Sequence, residues 1–445
     1  MKVVVVGGNG AGMSAASQVK RQKPDWQVVV LERGSYISYA SCGIPYYLGG
    51  LVERPEQLLA LSPEAAIQER GIDLRLNCEV TAVIPGSGEV LVRSAGGETR
   101  EPYDFLVLCT GALAMTEGID IGPGERIFTI KDLSDGLKVM ELLQKYRPKK
   151  CAVVGGGYIA VEMLEAFRMR GIETHLVHRR PELAKTFEPE VSEAILKEME
   201  RRGIVLNLKH GVEKIAERDG RAEVHTTSGV LAFDLVLVAI GVVPNSALAA
   251  ECGIELGVKG SIRVNSYLET SLPQIYAAGD CTETTHLITG RPAYVPLALK
   301  ANKEGAIAGA NIAGARRRFP GIIGSALTKF YDLGVGRTGL TLGEARQAGF
   351  DAVKYGIAAG SKAEYYPGRK RLEVLVVAEK GSGRVLGAQM MGPEDAVKRI
   401  DLLAAAIQQK MTLQEVYDLD LAYAPPFGGV YDPVLLAARV GLKKV

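Results

Sequence analysis

The sequence predicts an α/β protein in which one strand–glycine turn–helix–strand plan is written twice, ahead of a C-terminal segment of mixed α and β character. Three observations predict it. Two glycine-rich turns, Gly7-Gly8-Asn9-Gly10-Ala11-Gly12 and Gly155-Gly156-Gly157-Tyr158-Ile159-Ala160, each separate an apolar run from a helical stretch. Each unit then closes with one signature: an aromatic–Asp pair, an apolar strand and a glycine. These are Tyr103-Asp104-Phe105-Leu106-Val107-Leu108-Cys109-Thr110-Gly111 and Phe233-Asp234-Leu235-Val236-Leu237-Val238-Ala239-Ile240-Gly241. Finally, 445 residues suffice for about three domains at roughly 150 residues each.

In the first unit, Val3–Val6 is an all-apolar β-branched run, as a parallel strand buried on both faces requires. Met13–Lys23 reads as a helix, and Gln27–Leu31 as a second strand ending at Glu32 and Arg33. In the second unit the strand is Cys151–Val154, the helix Val161–Met169 and the next strand Thr174–Val177, followed by His178-Arg179-Arg180. Glycines allow a tight turn and close approach of backbone to a pyrophosphate, and the helix start offers free N–H groups and a positive dipole end. Two such units make a pair of Rossmann-like nucleotide-binding domains, with Gly7, Gly8, Asn9, Gly12, Gly155, Gly157, Tyr158 and Ile159 at the cofactors. Glu32 suits the two ribose hydroxyls of an unphosphorylated adenosine, as in FAD or NAD. The second unit has no acid there, and its basic trio His178-Arg179-Arg180 suits the 2′-phosphate of NADPH.

Composition narrows the class. Apolar residues make up 47% and charged residues 23%, ordinary for a globular chain. The net charge of +2 gives no footprint for a nucleic acid. The six cysteines, at 42, 78, 109, 151, 252 and 281, form no C-x-x-C pair and no zinc-like spacing. They read as reduced thiols of a cytoplasmic protein with no metal site. The apolar start is too short for a signal peptide, and no stretch approaches the roughly 18 apolar residues of a membrane helix.

One cysteine stands apart. Ser35-Tyr36-Ile37-Ser38-Tyr39-Ala40-Ser41-Cys42-Gly43-Ile44-Pro45-Tyr46-Tyr47-Leu48-Gly49-Gly50 lies between the first unit's second strand and its closing strand, with small and hydroxyl residues around Cys42. With these motifs the chain resembles, end to end, the pyridine nucleotide–disulfide oxidoreductases. Thr270-Ser271-Leu272-Pro273-Gln274-Ile275-Tyr276-Ala277-Ala278-Gly279-Asp280 matches that family's second FAD motif, in which Asp280 would bond the ribityl chain. Tyr294-Val295-Pro296-Leu297-Ala298 is similar to the segment lying against the flavin, and the resemblance adds Thr110, Gly111, Gly241, Pro296 and Ala298 to the cofactor contacts.

The larger members of the family carry a C-x-x-x-x-C pair and a C-terminal His-Glu dyad. Here position 37 is isoleucine, and no histidine follows His286. The chain therefore resembles the single-cysteine branch: coenzyme A-disulfide and coenzyme A-persulfide reductases, NADH oxidases and NADH peroxidases. Gly10 occupies the place of the oxidases' histidine, and Pro45-Tyr46 follows Cys42-Gly43-Ile44 as in the disulfide reductases. The resemblance implies an NAD(P)H:CoA-disulfide or persulfide reductase using FAD, with an oxidase/peroxidase or a redox-sensing flavoprotein as alternatives. It also implies a homodimer in which Tyr365 and Tyr423, with Tyr366 less favoured, reach Cys42 of the other chain. Gln18, Arg21, Ser38 and Ser41 would contact coenzyme A. Some persulfide reductases of the branch carry a rhodanese domain, and none is expected after Val445. The expected division is an FAD domain from 1–112 and 242–320, an NAD(P)H domain from 113–241, and an α+β dimerisation domain from 321–445. The last should contain a strand at Leu372–Ala378 and an amphipathic helix at Pro393–Lys410.

Overall fold

The computed structural model describes residues 1–445. Strand β1 (Lys2–Val6) passes through the first glycine turn into helix α1 (Gly10–Gln22) and back along β2 (Gln27–Leu31). Strands β3 (Asp73–Arg75) and β4 (Phe105–Leu108) flank this pair. All pairings are parallel, with Val3 opposite Val28 and Phe105. Val3, Val4 and Val5 are fully buried, as the unbroken β-branched run requires.

The second unit repeats this with β5 (Ile127–Phe128), β6 (Lys150–Val154), helix α2 (Tyr158–Met169), β7 (Glu173–His178), β8 (Val205–Leu208) and β9 (Leu235–Val238), again a five-stranded parallel sheet. The first sheet is completed by β10 (Ile275–Ala277) beside β4, giving the order β10-β4-β1-β2-β3. Helix α3 (Ala298–Ile312) then packs on α1. The contact is backbone on backbone. A Cβ at Gly305 would lie 2.0 Å from the Ala11 carbonyl oxygen, and one at Gly309 would lie 2.4 Å from that of Ala15.

Five antiparallel strands form the last sheet: β11 (Ala326–Phe330), β12 (Leu333–Gly339), β13 (Ala352–Gly360), β14 (Arg371–Glu379) and β15 (Val385–Pro393), in the order β11-β12-β15-β14-β13. Helices α4 (Ile400–Gln408) and α5 (Pro433–Gly441) share a core with the sheet through Ile400, Leu403, Ile407, Val434 and Ala437. Phe330, Val335 and Met391 of the sheet join a second core with Ile44 and Leu48, just after Cys42, and with Met163 and Phe167 of α2. That core clamps the cysteine segment between the second unit and the last sheet.

Element boundaries shift where backbone chemistry intervenes. Helix α1 starts at Gly10, not Met13, because Asn9 is extended and acts as its N-cap. The single helix expected over Pro393–Lys410 is broken. Pro393 ends β15 in extended backbone, Glu394–Val397 makes one short turn, and α4 begins only at Ile400. At the break the Arg399 Nε reaches Asp432 at 2.8 Å, so the interruption is pinned to the start of α5. No helix is long and apolar enough to cross a membrane.

The α1–α3 contact leaves no room for a methyl group. Gly309→Ala is expected to destabilise the protein by about 1–3 kcal/mol, the usual cost of overpacking a close contact. Urea denaturation of the two proteins, compared at one pH, checks this.

Candidate functional site

Both glycine turns are built by one constraint. Gly7 has φ +103°, and a Cβ there would sit 2.3 Å from the Cys109 carbonyl oxygen. Gly155 has φ +131°, and its Cβ would sit 2.1 Å from the Ala239 carbonyl oxygen. Only glycine tolerates both the left-handed backbone and the approach. Gly12 is equally committed, since its Cβ would lie 1.8 Å from the Gly7 carbonyl. Neither Asn9 nor Gly157 caps its helix with a side chain, so the first-turn N–H groups of α1 and α2 face their turns unclaimed. A Cβ on Gly157 would meet nothing within 4 Å, so that turn opens on free space. Each turn thus fits a phosphate of a dinucleotide.

The ends of the second strands differ as their residues do. The Glu32 carboxylate accepts from the backbone N–H of Gly8 at 2.6 Å and of Gly34 at 2.7 Å, which holds it at the mouth of the first turn, with Arg33 exposed beyond it. In the second unit, His178 does not join the cationic cluster. It is buried with its ring against Gly156, whose Cβ would come within 2.9 Å of Cε1. Burial pushes its pKa down, with Arg180 and Arg179 adding to the effect, and Nε2 has no partner. The ring is a neutral wall of the turn, and the positive charge belongs to Arg179, exposed, and Arg180, half-buried. The Tyr158 ring packs edge-on against Phe187 at 5.2 Å, with Ile159 beside it at the start of α2. Gly111 and Gly241, with φ +71° and +134°, end the two closing segments, and Thr110 is tied to Asn245.

The first turn reaches the cysteine directly. Asn9 Nδ2 donates to Ser41 Oγ at 3.2 Å, and the Ser38 N–H donates to the Gly8 carbonyl at 3.0 Å. Ser38 has φ +48°, a strained backbone for a serine, held by this bond and by the Ala60 N–H on its own carbonyl. Cys42 follows in a single 3₁₀ turn (Ser41–Gly43). Of six free cysteines it alone is exposed. Surrounding atoms still shield the thiol enough to push its pKa up; the Glu162 and Asp280 charges raise it further, while Lys131 lowers it. Lys131 Nζ lies 3.4 Å from the Asp280 carboxylate, so the second motif's acid faces the cysteine's neighbourhood. Pro296 and Ala298 lie at the entry to α3.

Glu162 is a charge near the cysteine that the sequence reading missed. It sits on α2 five residues after Gly157, and its partner, the Thr328 hydroxyl at 3.1 Å, comes from the last sheet. Burial pushes its carboxyl up to about 7, with Glu165 adding to the rise. The available signal was an acid one turn into a helix, flanked by Ile159, Ala160 and Val161 before it and Met163 and Leu164 after it.

The tyrosines lie elsewhere on the protomer. Tyr365 is 76% exposed and Tyr423 45%. Their segments are joined by the Ala363 N–H on the Pro425 carbonyl, and a hydrogen bond to Tyr365 pushes the Tyr423 phenol up. Tyr366 is half-buried beneath Lys362, whose Nζ lies 5.5 Å from the ring. Phe427, Val430 and Tyr431, a few residues beyond Tyr423, are exposed large apolar side chains as well, of the kind a second subunit covers. On the first helix, Arg21 donates to the Gln18 side chain at 2.6 Å.

Comparisons with known proteins agree with this geometry. Residues 1–305 match the family described as pyridine nucleotide-disulphide oxidoreductase, and residues 325–433 its dimerisation domain. The chain is 42% identical over 440 residues to the NAD(P)H coenzyme A polysulfide/persulfide reductase of Pyrococcus horikoshii, covering 99% of this chain and 98% of that protein. It is 32% identical to the coenzyme A disulfide reductase of Staphylococcus aureus, with 96% of each covered. The solved structure of an NAD-dependent persulfide reductase from A. fulgidus superposes with a TM-score of 0.96 at 35% identity, covering 100% of this chain and 83% of that one.

Glu162 has a pKa raised above the usual carboxylate range, so the folded state prefers its protonated form. The folded protein is therefore penalised as pH rises from about 4.5 toward about 7. Glu162→Gln removes that penalty. The variant should match the parent near pH 5 and be more stable at pH 8 by about 1–3 kcal/mol. It should also lower the pH midpoint for alkylation of Cys42, because a negative charge that raises the thiol's pKa is gone. Denaturant melts at the two pH values and a pH series of iodoacetamide labelling measure both effects.

Proposed function

The chain belongs to the pyridine nucleotide-disulphide oxidoreductases, and from that premise we propose that it is an FAD-dependent NAD(P)H oxidoreductase reducing coenzyme A disulfide or coenzyme A persulfide through Cys42. The observation that carries this reading is the placement of Cys42. It is the one exposed cysteine, on a turn tied by Ser41 and Ser38 to the first nucleotide-binding turn, near the Lys131–Asp280 pair. Bound at the first unit, FAD would pass two electrons from NAD(P)H, bound at the second, to sulfur.

The protein's own part is to manage a thiol. Cys42 Sγ attacks one sulfur of the substrate disulfide as the thiolate; a Cys42–S–S–CoA bond forms and the other coenzyme A leaves as its thiolate. Two electrons then cleave the mixed disulfide, release the second coenzyme A and restore Cys42. Desolvation and two carboxylates work against the thiolate, and Lys131 is the cation that opposes them. The leaving thiolate accepts a proton or a hydrogen bond. Tyr423 suits this, because a phenol is protonated at neutral pH and can donate to the departing sulfur. The pair would act on Cys42 of the partner subunit in a homodimer whose contact is the exposed face around Phe427 and Val430. Glu32 and Asp280 would hold the FAD, and Gln18, Arg21, Ser38 and Ser41 the coenzyme A. The domain limits proposed are 1–112 with 242–320, 113–241, and 321–445, and the free thiols accord with a cytoplasmic location.

Cys42→Ser should retain its flavin and abolish coenzyme A disulfide reduction, while the flavin is still reduced by NADPH. Tyr423→Phe should slow only the disulfide half-reaction, by about 10²-fold, the low end for general acid help to a good leaving group. Rapid-mixing traces of the two half-reactions separate these outcomes. Retained disulfide turnover in Cys42→Ser would sink the mechanism.

With the second unit's charge carried by Arg179 and Arg180, NADPH should be used at least as well as NADH. Arg179→Glu should move the ratio of kcat/KM values toward NADH by about tenfold or more, through loss of the 2′-phosphate contact and repulsion of the phosphate. Steady-state rates with the two nucleotides decide it, and a strong NADH preference in the parent protein would count against the assignment.

A further inference from the structure

Between Arg180 and the helix Pro189–Arg201, the second unit carries an irregular link, residues 181–188, whose partners come from two directions. Toward its own unit, the Ala184 N–H donates to the Gly156 carbonyl at 2.9 Å, inside the second glycine turn. The Leu183 N–H donates to the Ser192 hydroxyl at 2.8 Å. The Phe187 ring stands edge-on to the Tyr158 ring, with centroids 5.2 Å apart, and Tyr158 is the first residue of α2 after that turn. Leu183 and Phe187 are buried in one core with Met163 and Phe167 of α2. The link therefore backs both the turn and the helix start at which the second nucleotide is expected.

Toward the last sheet the contacts are polar and buried. Arg337 of β12 and Gln389 of β15 stand directly opposite each other across the antiparallel ladder. Both reach one acceptor: the Thr186 carbonyl takes Arg337 Nη1 at 3.2 Å and Gln389 Nε2 at 3.0 Å. The other end of the Gln389 amide accepts from the Glu188 N–H at 3.0 Å. The Glu188 carboxylate accepts from the Leu342 N–H at 2.7 Å and from Lys354 Nζ at 3.0 Å. Arg337, Gln389 and Glu188 are each more than nine-tenths buried. Arg337 is itself fixed, since its Nη2 donates to the Gly339 carbonyl at 2.7 Å and meets Glu344 at 3.4 Å. A buried network of this kind holds one geometry, because any member left unpaired pays its full desolvation penalty. Thr186 and Phe187 are neighbours, so the sheet's hold on the Thr186 carbonyl fixes where the Phe187 ring meets Tyr158. The Arg337 charge acts on Tyr158 as well: burial pushes that phenol up, and Arg337 opposes the rise.

We propose that Arg337 and Gln389 are positioning residues for the nicotinamide nucleotide: through Thr186 and Phe187 they hold Tyr158 and the second glycine turn in the binding geometry, so that the last domain sets part of the second unit's affinity. This rests on the NAD(P)H reading above and deepens it. Both residues act through the link on a turn common to either nucleotide, so NADPH and NADH lose affinity together when the hold is broken.

The test compares the flavin-loaded protein with Gln389→Met, Arg337→Met and the conservative Arg337→Lys. Flavin content and thermal melting establish which variants are folded. Calorimetry with NADP+ and the NADPH dependence of flavin reduction, followed by rapid mixing, should both show affinity about three- to tenfold weaker in the two Met variants, the effect of roughly one hydrogen bond. NADH should weaken by a similar factor. Arg337→Lys keeps a donor for the Thr186 carbonyl and should recover much of the loss. Reoxidation of the reduced flavin by coenzyme A disulfide should keep the parent rate. Lower melting temperatures with unchanged nucleotide affinity would mean that the contact is structural only, and that result overturns the proposal, as does an equal slowing of both half-reactions. A measurement on the parent protein needs no variant. Coupling is reciprocal, so NADP+ should slow hydrogen exchange in the peptide spanning 184–190, and exchange indifferent to the nucleotide counts against the proposal. If the parent binds neither nucleotide, the functional reading falls and the proposal with it. If the parent binds and the Met variants bind equally well, the proposal alone falls.

Discussion

A backbone carbonyl pressed against a glycine organises this protein twice. In each nucleotide-binding unit the first turn glycine lies with positive φ against the carbonyl of the residue just past the closing strand, Cys109 in one and Ala239 in the other. The turn can adopt that geometry only if the closing strand lies beside the first strand, as β4 and β9 do. The repeated closing signature and the repeated glycine turn are therefore two halves of one contact. From it follow the direction of the helix after each turn and the free N–H groups aimed at a phosphate.

The same contact places the chemistry. Because the first turn is fixed, Asn9 and the Gly8 carbonyl are available to hold Ser41 and Ser38, and Cys42 follows on a short exposed turn. Behind it the chain plunges into a core shared by α2 and the last sheet, with Ile44 and Leu48 almost wholly buried. An exposed thiol on a rigid base, open on one side, suits the proposed role, in which a substrate must reach sulfur while the cysteine stays in place. The electrostatic setting is a balance. Shielding and the Glu162 charge disfavour the thiolate, and Lys131, itself beside Asp280, favours it. Since burial pushes the Glu162 carboxyl up to about 7, the charge it presents to the thiol changes in the neutral range. The tyrosine pair is exposed on the last domain, where the proposed homodimer would bring it to the cysteine of the partner subunit.

Most of the architecture could be read from the chain because it is local. All-apolar parallel strands, glycines at turns and the strand-ending residues Glu32 and His178-Arg179-Arg180 are properties of short segments. Strand limits at Gln27–Leu31 are reproduced as read, and those near 151, 174 and 372 extend by a residue or two. The segment around Cys42 was conspicuous for the same reason. What the sequence could not decide depended on which segments meet. The stretch 393–410 has a helix's apolar spacing throughout, yet Pro393 completes a strand and Arg399 is drawn to Asp432, so the helix breaks. His178 reads as a cation beside two arginines, and only its burial against Gly156 makes it neutral. Glu162 looks like one of many helical glutamates until α2 packs between the cysteine segment and Thr328, more than 160 residues away. Charge state follows from dielectric and neighbours, and those are fixed by long-range packing rather than by local pattern.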